Sequence, residues 1–188
     1  HFDFARYQLF STLLASLVFL PAAVLARRWG GGRAMAVLAL LFMVNPLFVQ
    51  NATFAWTKLP AGFFVLGALG FLLRAAEAGA PRSTAVLGGA LLAAGILAHY
   101  SAGPYAVGLA FMWLASGWSR RSDLAWWRAT ACAAVAGAAI LALWFGWSVA
   151  TYGLGGTFLS NTSATSRDVH QGNQFVKILL NLIDTPGH

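Results

Sequence analysis

The sequence is poor in cysteine and in charged residues, and both shortages restrict what the protein can be. Cys132 is the single cysteine among 188 residues, so the chain supplies neither a disulfide framework nor a paired-cysteine metal site. His-Glu-x-x-His motifs, phosphate-binding loops and the glycine fingerprint of dinucleotide sites are also missing. Charged residues make up 9% of the chain, against roughly 25% in a soluble globular domain. The composition therefore predicts a protein dissolved in lipid.

Long apolar segments fill most of the chain, which is 59% hydrophobic. A helix needs about 20 apolar residues to cross the hydrocarbon core of a bilayer. The sequence therefore predicts an all-α fold, a polytopic transmembrane bundle of about six membrane helices. These helices are expected at residues 7–26, 34–49, 59–76, 83–98, 104–117 and 126–151, with an arginine- and glycine-rich turn at 27–33 after the first.

Residues 83–118 are the ambiguous part of this pattern. They number 36 and would measure about 54 Å as one straight helix, which exceeds any sensible tilt. His99, Tyr100 and Ser101 are followed by Gly103 and Pro104, and such residues suit a tight reversal into a new helix. The sequence predicts a hairpin of two short helices here.

The placement of arginine predicts the orientation of the helices. With a hairpin at His99, eight cationic residues fall on one side and four on the other, whereas a single span gives seven and five. Because cationic loops face the cytoplasm, the chain is expected to cross the plasma (inner) membrane several times, with its first residue and residues 152–188 outside. Two domains follow: a helical bundle over 1–151, and an outer polar loop over 152–188 that carries a short interfacial helix beginning near Phe175.

The formal net charge of +7 does not indicate nucleic-acid binding, because topology accounts for eight of the twelve cationic residues. Small residues instead predict close helix packing. Ala85, Gly89 and Ala93 lie four apart, and so do Ala129, Ala133 and Gly137. Such spacings let helix backbones approach each other within lipid.

The outer side carries four candidate phosphate-binding residues, which are Lys58, His99, Tyr100 and Arg6. Ionisable groups near hydrocarbon are costly, so they are functional candidates. Lysine and arginine bind phosphate directly, and histidine and tyrosine donate hydrogen bonds. Each also has a structural interpretation: Lys58 as a snorkelling interfacial residue, His99 and Tyr100 as a polar turn, and Arg6 as an interface anchor. Asp168 and His170 are read as solvated loop residues.

The order of these features resembles a known family. Arg6 opens a first span, a basic turn follows, Asn45 and Pro46 precede residues 54–58 at the next span, and a glycine-rich helix ends in Ala98-His99-Tyr100. This order resembles the GT-C membrane glycosyltransferases, and more narrowly the bacterial relatives of the dolichyl-phosphate-mannose protein mannosyltransferases. The resemblance covers residues 6–118 well and the remainder loosely.

The resemblance implies transfer of a sugar from a polyprenyl-phosphate donor at the outer membrane face, in contact with membrane lipid, to an acceptor that it does not specify. It also implies an acidic residue as base or metal partner in an outer loop before Arg6, with a divalent metal possible in the full-length protein. No residue of this chain is assigned that role. Relatives often have an acidic residue at Thr57 and a lysine at His99 or Tyr100, so the chain departs from the pattern there.

A transporter or flippase subunit for a lipid-linked or amphipathic substrate is the alternative. Such proteins place broken helices and polar groups near the middle of the membrane, often in repeated halves. The predicted spans carry almost no ionisable residue at that depth. The glycosyltransferase interpretation is therefore preferred.

Overall fold

The computed structural model describes residues 3–53, 57–120 and 122–158, and these residues confirm the all-α prediction. They are 89% helical and contain no strand. Contacts divide the chain after Trp144 into two compact units, which are described separately. The helices are α1 (Phe4–Ser16), α2 (Phe19–Val44), α3 (Pro46–Thr53), α4 (Lys58–Ala75), α5 (Arg82–Ala98), α6 (Ala102–Ser116) and α7 (Leu124–Phe158), with a 3-10 turn at Trp118–Arg120.

The first predicted span is interrupted between α1 and α2. Pro21 has no N–H to offer the carbonyl of Leu17, and that carbonyl instead accepts from the N–H of Leu20 at 3.0 Å. Leu17 and Val18 keep right-handed helical dihedral angles, so the interruption is a locally tightened turn. The chain remains on a helical path through the predicted range 7–26.

The basic turn predicted at 27–33 is confirmed by Gly31. This residue has φ of 65° and ψ of −159° inside α2, a conformation that residues with a β-carbon rarely adopt. The Phe19 and Phe42 rings, one on either side of the bend, lie 5.5 Å apart between centroids. The two limbs of α2 therefore pack against each other as a hairpin.

The second predicted span, 34–49, was wrong at its carboxyl end. Helix α2 ends at Val44, and Asn45 has extended dihedral angles because Pro46 follows it. The Asn45 Oδ1 atom accepts from the N–H groups of Leu47 at 2.9 Å and Phe48 at 3.3 Å, and it thereby caps the separate helix α3. Gln8 on α1 donates to the Thr53 carbonyl at 3.2 Å, so the end of α3 lies beside α1.

The hairpin predicted near His99 is confirmed. Helix α5 ends at Ala98, His99 is extended with φ of −160°, and α6 starts at Ala102. The two helices have 17 and 15 residues, which gives lengths of about 25 and 22 Å. Both fall short of the roughly 30 Å of bilayer hydrocarbon.

Three helical segments of the described residues are long and apolar enough to cross a membrane, instead of the predicted six. They are Phe4–Val44, Lys58–Ala75 and Leu124–Thr157. Helices α5 and α6 are apolar but shorter. None of the 18 residues in the apolar window of the α7 segment is fully buried by the described protein, so its exposed apolar side chains favour an apolar environment.

The predicted small-residue packing is confirmed where α5 meets α7. A β-carbon on Gly89 would overlap the backbone of Ala133, and one on Gly137 would lie 3.2 Å from the carbonyl oxygen of Gly89. Nearby, Trp113 stacks on Trp126 with ring centroids 5.5 Å apart, and both rings are buried with Leu72. These contacts pack the four helices α4, α5, α6 and α7 around one small core.

The described part of the second unit runs from Phe145 to Phe158 and is helical, where a loop was expected from residue 152 onward. Gly153 bends this helix with φ of 71°. Thr157 then donates to the Gly153 carbonyl at 2.9 Å, and its hydroxyl lies 3.0 Å from that of Ser148. These side-chain bonds connect the turn after Gly153 to the helix before it. The predicted interfacial helix, Asp168 and His170 lie outside the described residues.

Candidate functional site

Lys58 is the first residue of α4 and lines a cavity of about 340 Å³. Thr57 precedes it and makes no side-chain capping bond. As the first residue of α4, Lys58 places its ammonium group at the start of an apolar helix. The opposite wall of the cavity comes from Ser101, Ala102 and Tyr105 at the start of α6. Lys58 and the predicted hairpin turn therefore lie at the same end of the helices.

The turn that holds His99 fixes the orientation of its ring. The Ser101 N–H donates to His99 Nδ1 at 3.1 Å, and the Ser101 hydroxyl lies 2.7 Å from the same nitrogen. A nitrogen that accepts a backbone N–H carries its lone pair there, so the proton of the neutral ring is on Nε2. His99 thus offers Nε2–H as a donor away from the turn.

Tyr100 and Arg6 are less closely tied to the cavity than predicted. Tyr100 is 83% exposed and stacks on His99 with ring centroids 4.4 Å apart, and neither residue is among those lining the cavity. Arg6 forms an ion pair with Asp3, with Nε 3.0 Å from Oδ2 and an 87% exposed side chain. Asp3 also accepts from the N–H groups of Ala5 and Arg6, so it caps α1. The structure brings Lys58 and the turn together but leaves Arg6 with Asp3.

Ser101 and Tyr105 are site residues that the sequence analysis missed. Both line the cavity with Lys58, and both carry hydroxyl groups able to donate to an anion. Their spacing of four residues places them on one face of a helix, and this spacing directly after the predicted break is the signal that would have found them.

A second cavity, of about 450 Å³, lies between α4, α5, α6 and α7. Its lining is almost wholly apolar, with Leu92, Ile96 and Leu141 prominent. Its two polar side chains satisfy each other, since Trp113 Nε1 donates to the Thr130 hydroxyl at 2.9 Å. Such a space suits a hydrocarbon chain.

The other end of the helices carries an arginine cluster around Glu77. Arg28 donates to Glu77 Oε1 at 2.7 Å, Arg74 bonds to Oε2, and Arg120 donates to the Ala76 carbonyl at 2.6 Å. The hydrogen bond from Arg28, with further help from Arg74, outweighs desolvation and lowers the pKa of Glu77 below its usual 4.5. Three of the arginines that the positive-inside rule grouped together therefore lie close to one another.

The described carboxylates are occupied away from the Lys58 cavity. Asp3 is paired with Arg6, Glu77 is held by two arginines, and Asp123 accepts from the N–H of Ala125 at 2.8 Å at the start of α7. Among residues 3–53, 57–120 and 122–158, no group of three or more His, Cys, Asp or Glu side chains is placed to hold a metal ion. The Lys58 cavity combines one ammonium and two hydroxyl groups with apolar and small residues, and no described carboxylate lines it.

No protein-family model, curated protein or solved structure matches the chain. The resemblance to the GT-C glycosyltransferases therefore stays a prediction based on the order of sequence features.

Proposed function

We propose that the chain is part of an integral membrane glycosyltransferase that takes a polyprenyl-phosphate sugar as its donor and binds the donor phosphate at the Lys58 cavity. One observation supports this function above the others. Two separate helices, α4 and α6, bring an ammonium and two hydroxyl groups to one cavity, beside a turn whose histidine presents a fixed N–H donor.

The chemistry requires donors of this kind. When the sugar leaves, negative charge develops on the donor phosphate, and pre-positioned cations and N–H or O–H donors stabilise that charge. Lys58 supplies a full positive charge, while Ser101 and Tyr105 supply hydroxyl groups. His99 adds Nε2–H in its neutral form. These groups bind the leaving group, and none of the described carboxylates is assigned as the base.

The apolar cavity between α4 and α7 supports the lipid part of the proposal. A polyprenyl phosphate is an anionic head on a long hydrocarbon chain, and the cavities of the described first unit include one that offers Lys58 with two hydroxyl groups and one that is apolar. In the proposal, the arginine cluster faces the cytoplasm of the plasma (inner) membrane. The Lys58 cavity and residues 152–188 then belong to the extracytoplasmic side.

The transporter alternative is less well supported. A transporter places polar groups at mid-membrane around its substrate, whereas the polar side chains of the apolar cavity bond to each other and none is charged. The enzyme therefore remains the preferred proposal. Protein-dependent movement of a lipid-linked substrate across vesicles, with no sugar transfer, would favour the alternative.

The test is donor binding by the Lys58→Met variant. Nanodiscs containing the protein are titrated with undecaprenyl phosphate, and we expect Lys58→Met to weaken binding about 10-fold or more, as for the loss of a charge-assisted hydrogen bond. Arg27→Met is the matched control, because it removes one positive charge beside the Gly31 bend.

Two results would contradict the proposal. Equal affinity of Lys58→Met and the unchanged protein for undecaprenyl phosphate would show that the phosphate does not bind in this cavity. Equal weakening by Arg27→Met would show that overall charge is responsible and that the cavity is not. Transfer from a radiolabelled polyprenyl-phosphate sugar, measured with the full-length protein, then tests the reaction itself.

A further inference from the structure

A third cavity lies at the arginine end, apart from the proposed donor site. It measures about 440 Å³ and is formed by the loop between α4 and α5, the first turn of α5 and the start of α7. Its ionic lining residues are Glu77, Arg82, Arg120 and Asp123. The carboxylates are already used, since Glu77 is bonded by Arg28 and Arg74, and Asp123 caps α7. With these two partners included, four guanidinium groups face two carboxylates, which leaves a net charge of +2.

The helix α5 opens into this cavity with donors to spare. It has 17 residues and begins at Arg82 after Pro81, with no side-chain cap. The first N–H groups of a helix lack partners within the helix, and the helix dipole adds positive potential there. The Arg82 side chain is exposed and, among the described residues, has no hydrogen-bond or ion-pair partner.

Trp126 supplies an independent sign of a missing ligand. The residue lines the cavity and is 5% exposed, yet its Nε1 atom has no hydrogen-bond acceptor within the described part of the chain. Neighbouring Trp113 has a similar ring environment but does have a partner, the Thr130 hydroxyl. Buried donors are nearly always satisfied in proteins, by the chain or by something bound to it.

We propose that this cavity binds the phosphate headgroup of an anionic membrane lipid. The phosphate accepts from the Arg82 guanidinium and from the backbone N–H groups of Arg82 and Ser83 at the start of α5. Trp126 Nε1–H, which is closed to solvent in the structure, reaches it through a small shift of the indole. Arginine pairs with phosphate through two parallel hydrogen bonds, and a helix amino terminus binds phosphate for the reasons given above. A lipid is preferred to a soluble phosphate because the cavity lies where apolar helices end, which is the depth of lipid headgroups in the membrane orientation proposed above.

The experiment compares two arginine variants at the same end of the protein. Full-chain protein in a neutral detergent is titrated with dioctanoyl phosphatidic acid, dioctanoyl phosphatidylcholine or inorganic phosphate, and Tm is recorded at each concentration. A ligand that binds only the folded state raises Tm, and the rise grows with the logarithm of the ligand concentration once that concentration exceeds Kd. We expect phosphatidic acid to raise Tm and Arg82→Gln to weaken its apparent affinity about 10-fold. Arg33→Gln, which removes an equal charge outside the cavity lining, should leave that affinity unchanged.

A second measurement observes the tryptophan directly. With ¹⁵N-indole tryptophan, the Trp126 Nε1–H signal should shift when phosphatidic acid is added and remain still with phosphatidylcholine. The Trp126→Phe variant identifies the signal, and the Tm titration does not depend on that variant folding.

Three results would overturn the proposal. An unchanged Tm in the presence of phosphatidic acid would show that the lipid does not bind. Equal losses of affinity in Arg82→Gln and Arg33→Gln would show that the binding depends only on general surface charge. Equal stabilisation by inorganic phosphate at the same concentration would overturn the lipid as the source and assign the cavity to a soluble phosphate.

Discussion

His99 shows how one neighbouring residue determines what an imidazole offers to a ligand. Ser101 donates its N–H to Nδ1, and this bond leaves Nε2 as the donor of the neutral ring. Lys58 contributes charge from a different helix, and Ser101 itself lines the cavity that Lys58 lines. A single serine therefore orients the histidine and belongs to the proposed anion site.

Glu77 provides a prediction about pH. Because hydrogen bonding from Arg28 lowers the pKa of Glu77 below 4.5 in the folded protein, the unfolded chain binds a proton more readily than the folded chain. The stabilisation from Glu77 is therefore complete above about pH 4.5 and is lost as the pH falls through the lowered pKa. In Tm measurements in detergent, Glu77→Gln should lower Tm at pH 7, and the difference from the unchanged protein should shrink toward pH 3. A difference that stays constant over this range would contradict the ion-pair explanation.

Helix breaks could be predicted from the sequence when several signals coincided. The reversal at His99 combined polar residues, glycine and Pro104, and the bend at Gly31 combined three glycines with flanking arginines. The end of α2 at Val44 was missed, because residues 34–49 are apolar apart from Asn45, and only the hydrogen bonds of the Asn45 cap reveal a new helix. The hydrophobicity of a segment predicts whether it lies in lipid or in water. The start of a helix is instead marked by the capping residue that bonds its first N–H groups.

The site was predictable to a similar extent. Lys58 and His99 were identified because they are ionisable residues at the ends of apolar segments, and that reasoning needs no knowledge of neighbours. Ser101, Tyr105 and the pairing of Arg6 with Asp3 depend on which side chains face each other. Hydroxyl groups are common in turns, so their residue types alone gave no warning.

The contact between α5 and α7 predicts that alanine at Gly89 lowers stability, whereas alanine at Gly108, which lies outside the contact, raises it. Alanine favours a helix over glycine by about 1 kcal/mol, so Gly108→Ala in α6, where a β-carbon has open space, should raise stability. Gly89→Ala should instead lower it by about 1–3 kcal/mol, because the new β-carbon meets the Ala133 backbone. Thermal aggregation of the detergent-solubilised protein measures both. A gain in stability for Gly89→Ala would refute the close approach of these helices.

Within the described part of the first unit, the charged groups around Glu77 and Lys58 lie at the two ends of α4, and apolar side chains cover much of the surface between them. Leu143, Trp144 and Val135 on α7 are each more than half exposed, which is costly in water and favourable in lipid. The arginine cluster around Glu77 and the Lys58 cavity stand at the two ends of α4. This arrangement fits a protein whose ends contact headgroups and whose sides contact hydrocarbon.

Labelling of single cysteines tests that arrangement. In a Cys132→Ala background, cysteines introduced at Thr57, Tyr100 or Ala78, all exposed positions, are treated with a membrane-impermeant maleimide in sealed vesicles of one orientation. We expect Thr57→Cys and Tyr100→Cys to react from the same side, and Ala78→Cys to react from the other side. Reaction of Thr57→Cys and Tyr100→Cys from opposite sides would separate Lys58 from the histidine turn and disprove their common cavity.

The bond between Arg28 and Glu77 joins residues 49 positions apart in the chain. Arg28 is synthesised before Glu77. The tip of the amino-terminal hairpin therefore emerges from the ribosome without the carboxylate that pairs with Arg28, until the whole of α4 has been synthesised. The locking of that hairpin to the next helix is thus a late event of biogenesis. A nascent chain halted before Glu77 would carry every arginine of its first 74 residues without that carboxylate to restrain Arg28.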